Sequence, residues 1–269
     1  LADIEITDPK ENPVNEEEGI DQTRPRASEM QFNLWSSTIT KHDADVRWLT
    51  SKFKPDPTLR VLDIGGGNGQ FASVLAAWLQ TRVDVIDPSV VAARNFTKFP
   101  LCTLIPSDFT TWSNNAGSYD LVIFRLVLHH LIDRDNERTE RTQAEALLKA
   151  ASLLSDRGRI YILENIYDPL IGSDISGRLI FEATSLKRTA AIFRRLGANT
   201  AGEGVRFHSL AAWRHLLAAS RLTVESESFD HGWAQPFPLW QRLPFLCGGR
   251  YQWLSISRLD CGELDGTNL

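Results

Sequence analysis

The sequence predicts an α/β fold in which one mostly parallel, doubly wound sheet carries helices on both faces. Three observations carry this. Short apolar runs such as "RVLDI" alternate in repeated order with stretches of helical period, which calls for crossover connections and parallel pairing. The first run, at 60–64, opens into the glycine cluster "GGGNG" and then into a helix. Acids, Asp87 and Asp108, follow two later runs, where open α/β sheets bind ligands.

Residues 1–27 are rich in Asp, Glu, Asn and Pro, lack a sustained hydrophobic period, and read as an acidic N-terminal arm. Residues 28–269 read as a single domain. Met30, Leu34, Trp35, Ile39, Val46 and Leu49 mark N-terminal helices within 28–54, ended by "KPDP". Strands are then expected at 60–64, 82–87, 102–105, 120–124 and 159–164. Helices are expected at 69–80, with Phe71, Val74, Leu75, Trp78 and Leu79 on one face, and at 142–154.

After Glu164 the pattern changes. Residues 166–207 read as a helical lid insertion, carried by "SGRLIFEATSLKRTAAIFRRLG". Ser209 is placed to cap a helix through Ser220, and two last strands are expected at 222–228 and 250–257. Between them, the prolines of "WAQPFPLWQRLPFL" argue against regular structure, and its aromatics suit a pocket wall or a buried layer. Lys187, Arg188, Arg194 and Arg195 share a helix face that reads first as solvated.

The net charge of -5 supplies no basic field to collect nucleic acid, so no nucleic-acid partner is expected. Cys102, Cys247 and Cys261 are an odd count without close spacing, which suits neither a disulfide framework nor a zinc site and points to a cytoplasmic protein without a metal. No segment reads as a membrane span or secretory signal. The sequence begins at Leu1 rather than a methionine, as a trimmed N-terminus would.

The glycine turn fits a ligand lying on bare backbone, because Gly65, Gly67 and Gly69 tolerate positive φ and present no Cβ. The strict dinucleotide spacing needs glycine where Gln70 stands. The pattern is instead Asp63 followed by Gly65, Gly67 and Gly69, and an acid there suits a ligand with an ammonium group. Asp87 can accept from both hydroxyls of a ribose. Asp108 can accept from an adenine amino group, with Phe109 beside the ring.

The runs "VLDIGGGNG", "VIDPS", "SDF", "YDLVIFRLVLHHL" and "GRIYILEN" resemble the class I S-adenosylmethionine-dependent methyltransferases in order and spacing. The resemblance covers roughly 60–165. It implies a Rossmann-like methyltransferase fold with seven strands, the last antiparallel, and S-adenosylmethionine as cofactor. It carries Asp63 to the methionine end, the turn Gly65, Gly66, Gly67 and Gly69 to the cofactor backbone, Asp87 with Pro88 to the ribose, and Asp108 with Phe109 to the adenine. Arg125, after the fourth strand, joins this set as a partner for an acid.

Methyl transfer from a sulfonium needs alignment, worth about 7 to 11 kcal/mol. It needs a base only where the acceptor must lose a proton. His130 and His129 are the candidate bases, with Glu164 as a residue that orients the acceptor; each also has a purely structural reading as a turn or loop brace. The expected reaction is methylation of a small molecule, at oxygen. A methyltransferase for RNA or protein, a nicotinamide oxidoreductase and a non-catalytic binding subunit of the same fold remain rivals.

Overall fold

The computed structural model describes residues 42–169, 174–187, 202–229 and 247–258. Helix α1, His42–Thr50, leads into strand β1, Arg60–Ile64; α2, Gln70–Leu79; β2, Arg82–Ile86; and the short α3, Val90–Arg94. Then follow β3, Cys102–Ile105; β4, Tyr119–Arg125; a 3-10 turn, Leu128–His130; α4, Asn136–Leu153; and β5, Leu154–Pro169. Helix α5, Ile175–Ser185; α6, Leu210–Ala219; β6, Leu222–Phe229; and β7, Cys247–Arg258, complete the described part.

The seven strands form one sheet in the order β3-β2-β1-β4-β5-β7-β6. The first five pair in parallel and β7 runs antiparallel to both β5 and β6, so the sheet is mixed. Parallel strands buried on both faces must be apolar on both. Leu62, Ile64, Val122, Phe124, Ile160 and Ile162 meet Leu147 and Ala150 of α4 and Trp213 and Leu217 of α6. Val61, Val83, Val85, Leu121, Ile123 and Leu163 meet α2 and α1 on the other face.

Helix α2 buries Phe71, Ala72, Leu75, Ala76 and Leu79 at helical spacing and stops where Gln80 turns left-handed. Helix α4 starts well before the expected 142, because Asp135 caps it by accepting the Arg138 amide at 2.8 Å. Ser209 caps α6 as expected, accepting from the Ala212 amide at 3.1 Å. The insertion contributes α5, which buries Ile180 and Phe181 and leaves Ile175, Leu179 and Leu186 exposed. The residues expected before 42, the basic stripe from Arg188 onward and the aromatic segment around Trp240 lie outside the described residues. Among the described residues no helix is long and apolar enough to cross a membrane.

Candidate active site

The strand order reverses between β1 and β4, so a crevice opens beyond their carboxyl ends. The glycine turn follows β1, and the 3-10 turn bearing His129 and His130 follows β4. Gly65, Gly67 and Gly69 all adopt positive φ, at 68°, 58° and 72°. The close neighbours of three glycines are parts of the protein itself. A side chain at Gly65 would run into Val127, one at Gly66 into Asp63 and Val85, and one at Gly69 into Phe96. Bare backbone is therefore required for packing, and it presses the β1 turn against the chain leaving β4.

Asp63 and Asp87 lie on the α2 face of the sheet with Val61 and Val85, by the alternation of β1 and β2. Asp63 is fully buried, and neither of its carboxylate oxygens has a hydrogen-bond partner among the described residues. Burial pushes its pKa up to about 7 against the pull of the Arg125 guanidinium, and the Asp87 charge adds to the rise. Arg125 itself lies over the Phe71 ring, 5.2 Å from its centroid. Asp87 takes the Gly67 amide on Oδ2 at 2.9 Å and the Ser89 amide on Oδ1 at 2.8 Å. Burial raises its pKa in spite of those two bonds. Pro88, beside it, is half-buried.

Asp108 accepts both the amide and the hydroxyl of Thr110 on Oδ1, each at 2.7 Å, and so shapes the turn after β3. Phe109 is buried, packing edge-on against Phe124 at 5.9 Å. Its ring belongs to the core, and Lys149 Nζ lies over it, 5.1 Å from its centroid. Lys149 ties the same turn to α4 through the carbonyls of Thr110 and Trp112.

On the other side of the crevice, Glu164 is buried and both its oxygens are engaged. Oε1 takes the Leu128 amide at 2.8 Å and Oε2 lies 2.7 Å from His129 Nδ1. A carboxylate only accepts, so Nδ1–H donates to it and Nε2 is left as the acceptor of the neutral ring. The His129 ring lies between His130, at 4.1 Å, and Phe207, at 4.6 Å, and Phe207 stacks in turn on Tyr167 at 4.8 Å. Burial, and then the charge of His129, hold the His130 pKa well below the usual imidazole value.

The sequence reading missed the support behind this turn. Arg206 is fully buried and its guanidinium bonds Glu140 Oε1 at 2.7 Å and also Asp174. His208 Nδ1 faces Asp174 at 3.3 Å. Donor atoms of Glu140, Asp174 and His208 converge within 4.8 Å, as metal ligands do, but Arg206 already supplies the cation there. Burial works to raise the Asp174 pKa; the His208 bond and charge, the Arg206 charge and the Ser209 amide prevail and lower it. The available signal was polar residues on a buried helix stripe: Thr139, Thr142 and Gln143 of α4.

A family model described as "Methyltransferase domain" matches residues 40–259. No curated protein matches the sequence. Among solved structures, a SAM-dependent methyltransferase from Leishmania major is 15% identical, with a TM-score of 0.57 over 83% of this chain and 76% of its own. A putative methyltransferase from Haloferax volcanii, solved with a methyltransferase activator, is 15% identical with a TM-score of 0.57 over 85% and 97%. Geranyl diphosphate C-methyltransferase from Streptomyces coelicolor, solved with S-adenosyl-L-homocysteine, is 12% identical with a TM-score of 0.55 over 80% and 77%. At these identities the neighbours show the fold, and the family match over most of the chain supplies the activity. The chain belongs to the class I S-adenosylmethionine-dependent methyltransferases and uses S-adenosylmethionine as its methyl donor.

Proposed function

We propose that the chain methylates a hydroxyl of a small molecule, with His129 as the base that takes the hydroxyl proton. The observation that carries this is the buried Glu164 carboxylate on His129 Nδ1, two residues after Val127, which packs against Gly65 of the turn after β1. Bound, S-adenosylmethionine supplies a methyl group already activated on a sulfonium. The residues fit that group, because a fully buried carboxylate at Asp63, without a hydrogen-bond partner among the described residues, is a place for an ammonium.

Asp63 would hold the methionine amino end and Arg125 its carboxylate. Gly65, Gly66, Gly67 and Gly69 form the turn, Asp87 with Pro88 takes the ribose, and Asp108 receives the adenine amino group with Phe109 bracing its loop. Asp87 has one amide on each oxygen, so further lone pairs remain for two hydroxyls. His129 Nε2 takes the acceptor proton, and Glu164 stabilises the resulting imidazolium. His130, held neutral by its burial, serves as a ring wall beside His129. Of the described elements, α5 and α1 would border the acceptor pocket. The Streptomyces neighbour acts on a small prenyl diphosphate, which supports a small acceptor on this fold. The scattered cysteines support a cytoplasmic setting.

The test is incubation with S-adenosylmethionine and a panel of phenols, alcohols and amines, reading S-adenosylhomocysteine by mass spectrometry. Hydroxyl acceptors should turn over, and His129→Ala should abolish that turnover while cofactor affinity stays within about threefold. Turnover of amines alone, or turnover indifferent to His129→Ala, contradicts the proposal. Tight cofactor binding with no turnover on the whole panel favours a binding subunit.

A further inference from the structure

Gln143 is fully buried on α4, and both N–H donors of its amide and its oxygen are engaged. Its Nε2 donates to the Leu128 carbonyl at 2.9 Å and to the Arg206 carbonyl at 3.3 Å. Two carbonyls at that end permit only one orientation of the amide, so Oε1 must face His208 Nε2, 2.6 Å away. His208 Nε2 then donates to Oε1, and a second bond from Nδ1 to Asp174 exists only in the doubly protonated ring. Leu128 opens the 3-10 turn that bears His129, and the Arg206 to His208 segment carries Phe207, whose ring packs on His129.

Backbone bonds hold the 206–208 segment as well. The Arg206 amide donates to the His129 carbonyl at 3.0 Å, and the Tyr167 amide donates to the His208 carbonyl at 3.0 Å. A single amide thus joins the turn under the imidazole to the ring that covers it. Glu164 selects which imidazole nitrogen carries the proton; it does not fix the plane of the ring, which packs against Phe207 at 4.6 Å and His130 at 4.1 Å.

We infer that Gln143 is a positioning residue for the proton-accepting imidazole, holding His129 between Phe207 and His130 with Nδ1 on Glu164. The inference rests on the reading of His129 as the base. Without the Gln143 amide, the buried Arg206 carbonyl and the His208 N–H lose a partner and the Leu128 carbonyl keeps only the Leu131 amide, which loosens one tie between the turn and the 206–208 segment and lets the imidazole turn away from Glu164.

The test is imidazole 15N NMR of the labelled chain, with no acceptor present. Wild type should show His129 as a single Nδ1–H tautomer. Gln143→Leu, folded by its thermal transition, should lose that single tautomer and show a mixture. Wild type with Nε2 protonated overturns the base reading and the inference with it. A wild-type Nδ1–H tautomer that persists unchanged in folded Gln143→Leu overturns the inference alone. If Gln143→Leu does not fold, exchange of the Gln143 side-chain amide protons in wild type decides. Protection comparable to the β4 backbone amides supports the inference, and exchange as fast as an exposed glutamine overturns it.

Discussion

One carboxylate joins the imidazole to its turn in this protein: Glu164 lies 2.7 Å from the His129 imidazole through Oε2 and takes the Leu128 amide through Oε1 at 2.8 Å. A side chain from the adjacent strand therefore ties the turn to the imidazole it carries and selects the imidazole tautomer. Glu164→Gln keeps the size and an acceptor for Leu128 but offers His129 an amide donor, which favours the opposite tautomer. Turnover of a hydroxyl acceptor should fall by about 100- to 10,000-fold with cofactor affinity nearly unchanged. Steady-state kinetics beside calorimetric titration of the cofactor separate the two effects.

Asp87→Ala should weaken S-adenosylmethionine binding by on the order of 1.5 to 3 kcal/mol, the value of a hydrogen bond to a charged group. Part of that loss comes through the turn, since Asp87 also holds the Gly67 amide. Isothermal titration gives the number, and an unchanged dissociation constant contradicts the ribose assignment.

Asp63 predicts a pH dependence. Its folded pKa, raised to about 7 from 3.8, means that the empty protein favours the protonated acid. The stability this contributes is complete below about pH 4 and is lost as pH rises through 7. An ammonium beside the carboxylate favours the ionised form, so cofactor affinity should rise from pH 6 to pH 8. Asp63→Asn should flatten that rise and raise the melting temperature of the empty protein at pH 8. Thermal melts and titrations across this range check both signs.

Gly66→Ala should cost roughly 1 to 3 kcal/mol of stability, because the added methyl meets Asp63 and Val85. Denaturant unfolding measures the cost. A neutral result would show that the turn has more room than its neighbours allow here.

Arg206→Met should destabilise the chain by about 3 to 5 kcal/mol, since it leaves the Asp174 carboxylate buried without its guanidinium. The same denaturant titration reports it.

The sheet was legible because parallel strands covered on both faces leave near-continuous apolar runs: "RVLDI", "RVDVI" and "YDLVIFR" all became strands. Element ends were less legible. The start of α4 was hidden because its buried positions include Thr139, Thr142 and Gln143, which leave no apolar period. β5 starts at Leu154 because Leu154 pairs with Tyr119 across an irregularity that pattern alone does not reveal. The glycine turn and its acids stood out by position, after a strand and before a helix. What those glycines accommodate did not, since Val127 and Phe96 come from elsewhere in the chain. The brace on His129 joins residues 35 apart, and the Gln143 contacts with Arg206 and His208 span 63 and 65 residues. Separations of that size are set by tertiary folding.

A crystal structure with S-adenosylhomocysteine tests the central claim most directly. The ribose hydroxyls should lie on the Asp87 carboxylate, with the amino acid end over the turn after β1 and the sulfur facing His129. A ligand bound elsewhere, or an Asp87 side chain turned away from the sugar, would contradict the account.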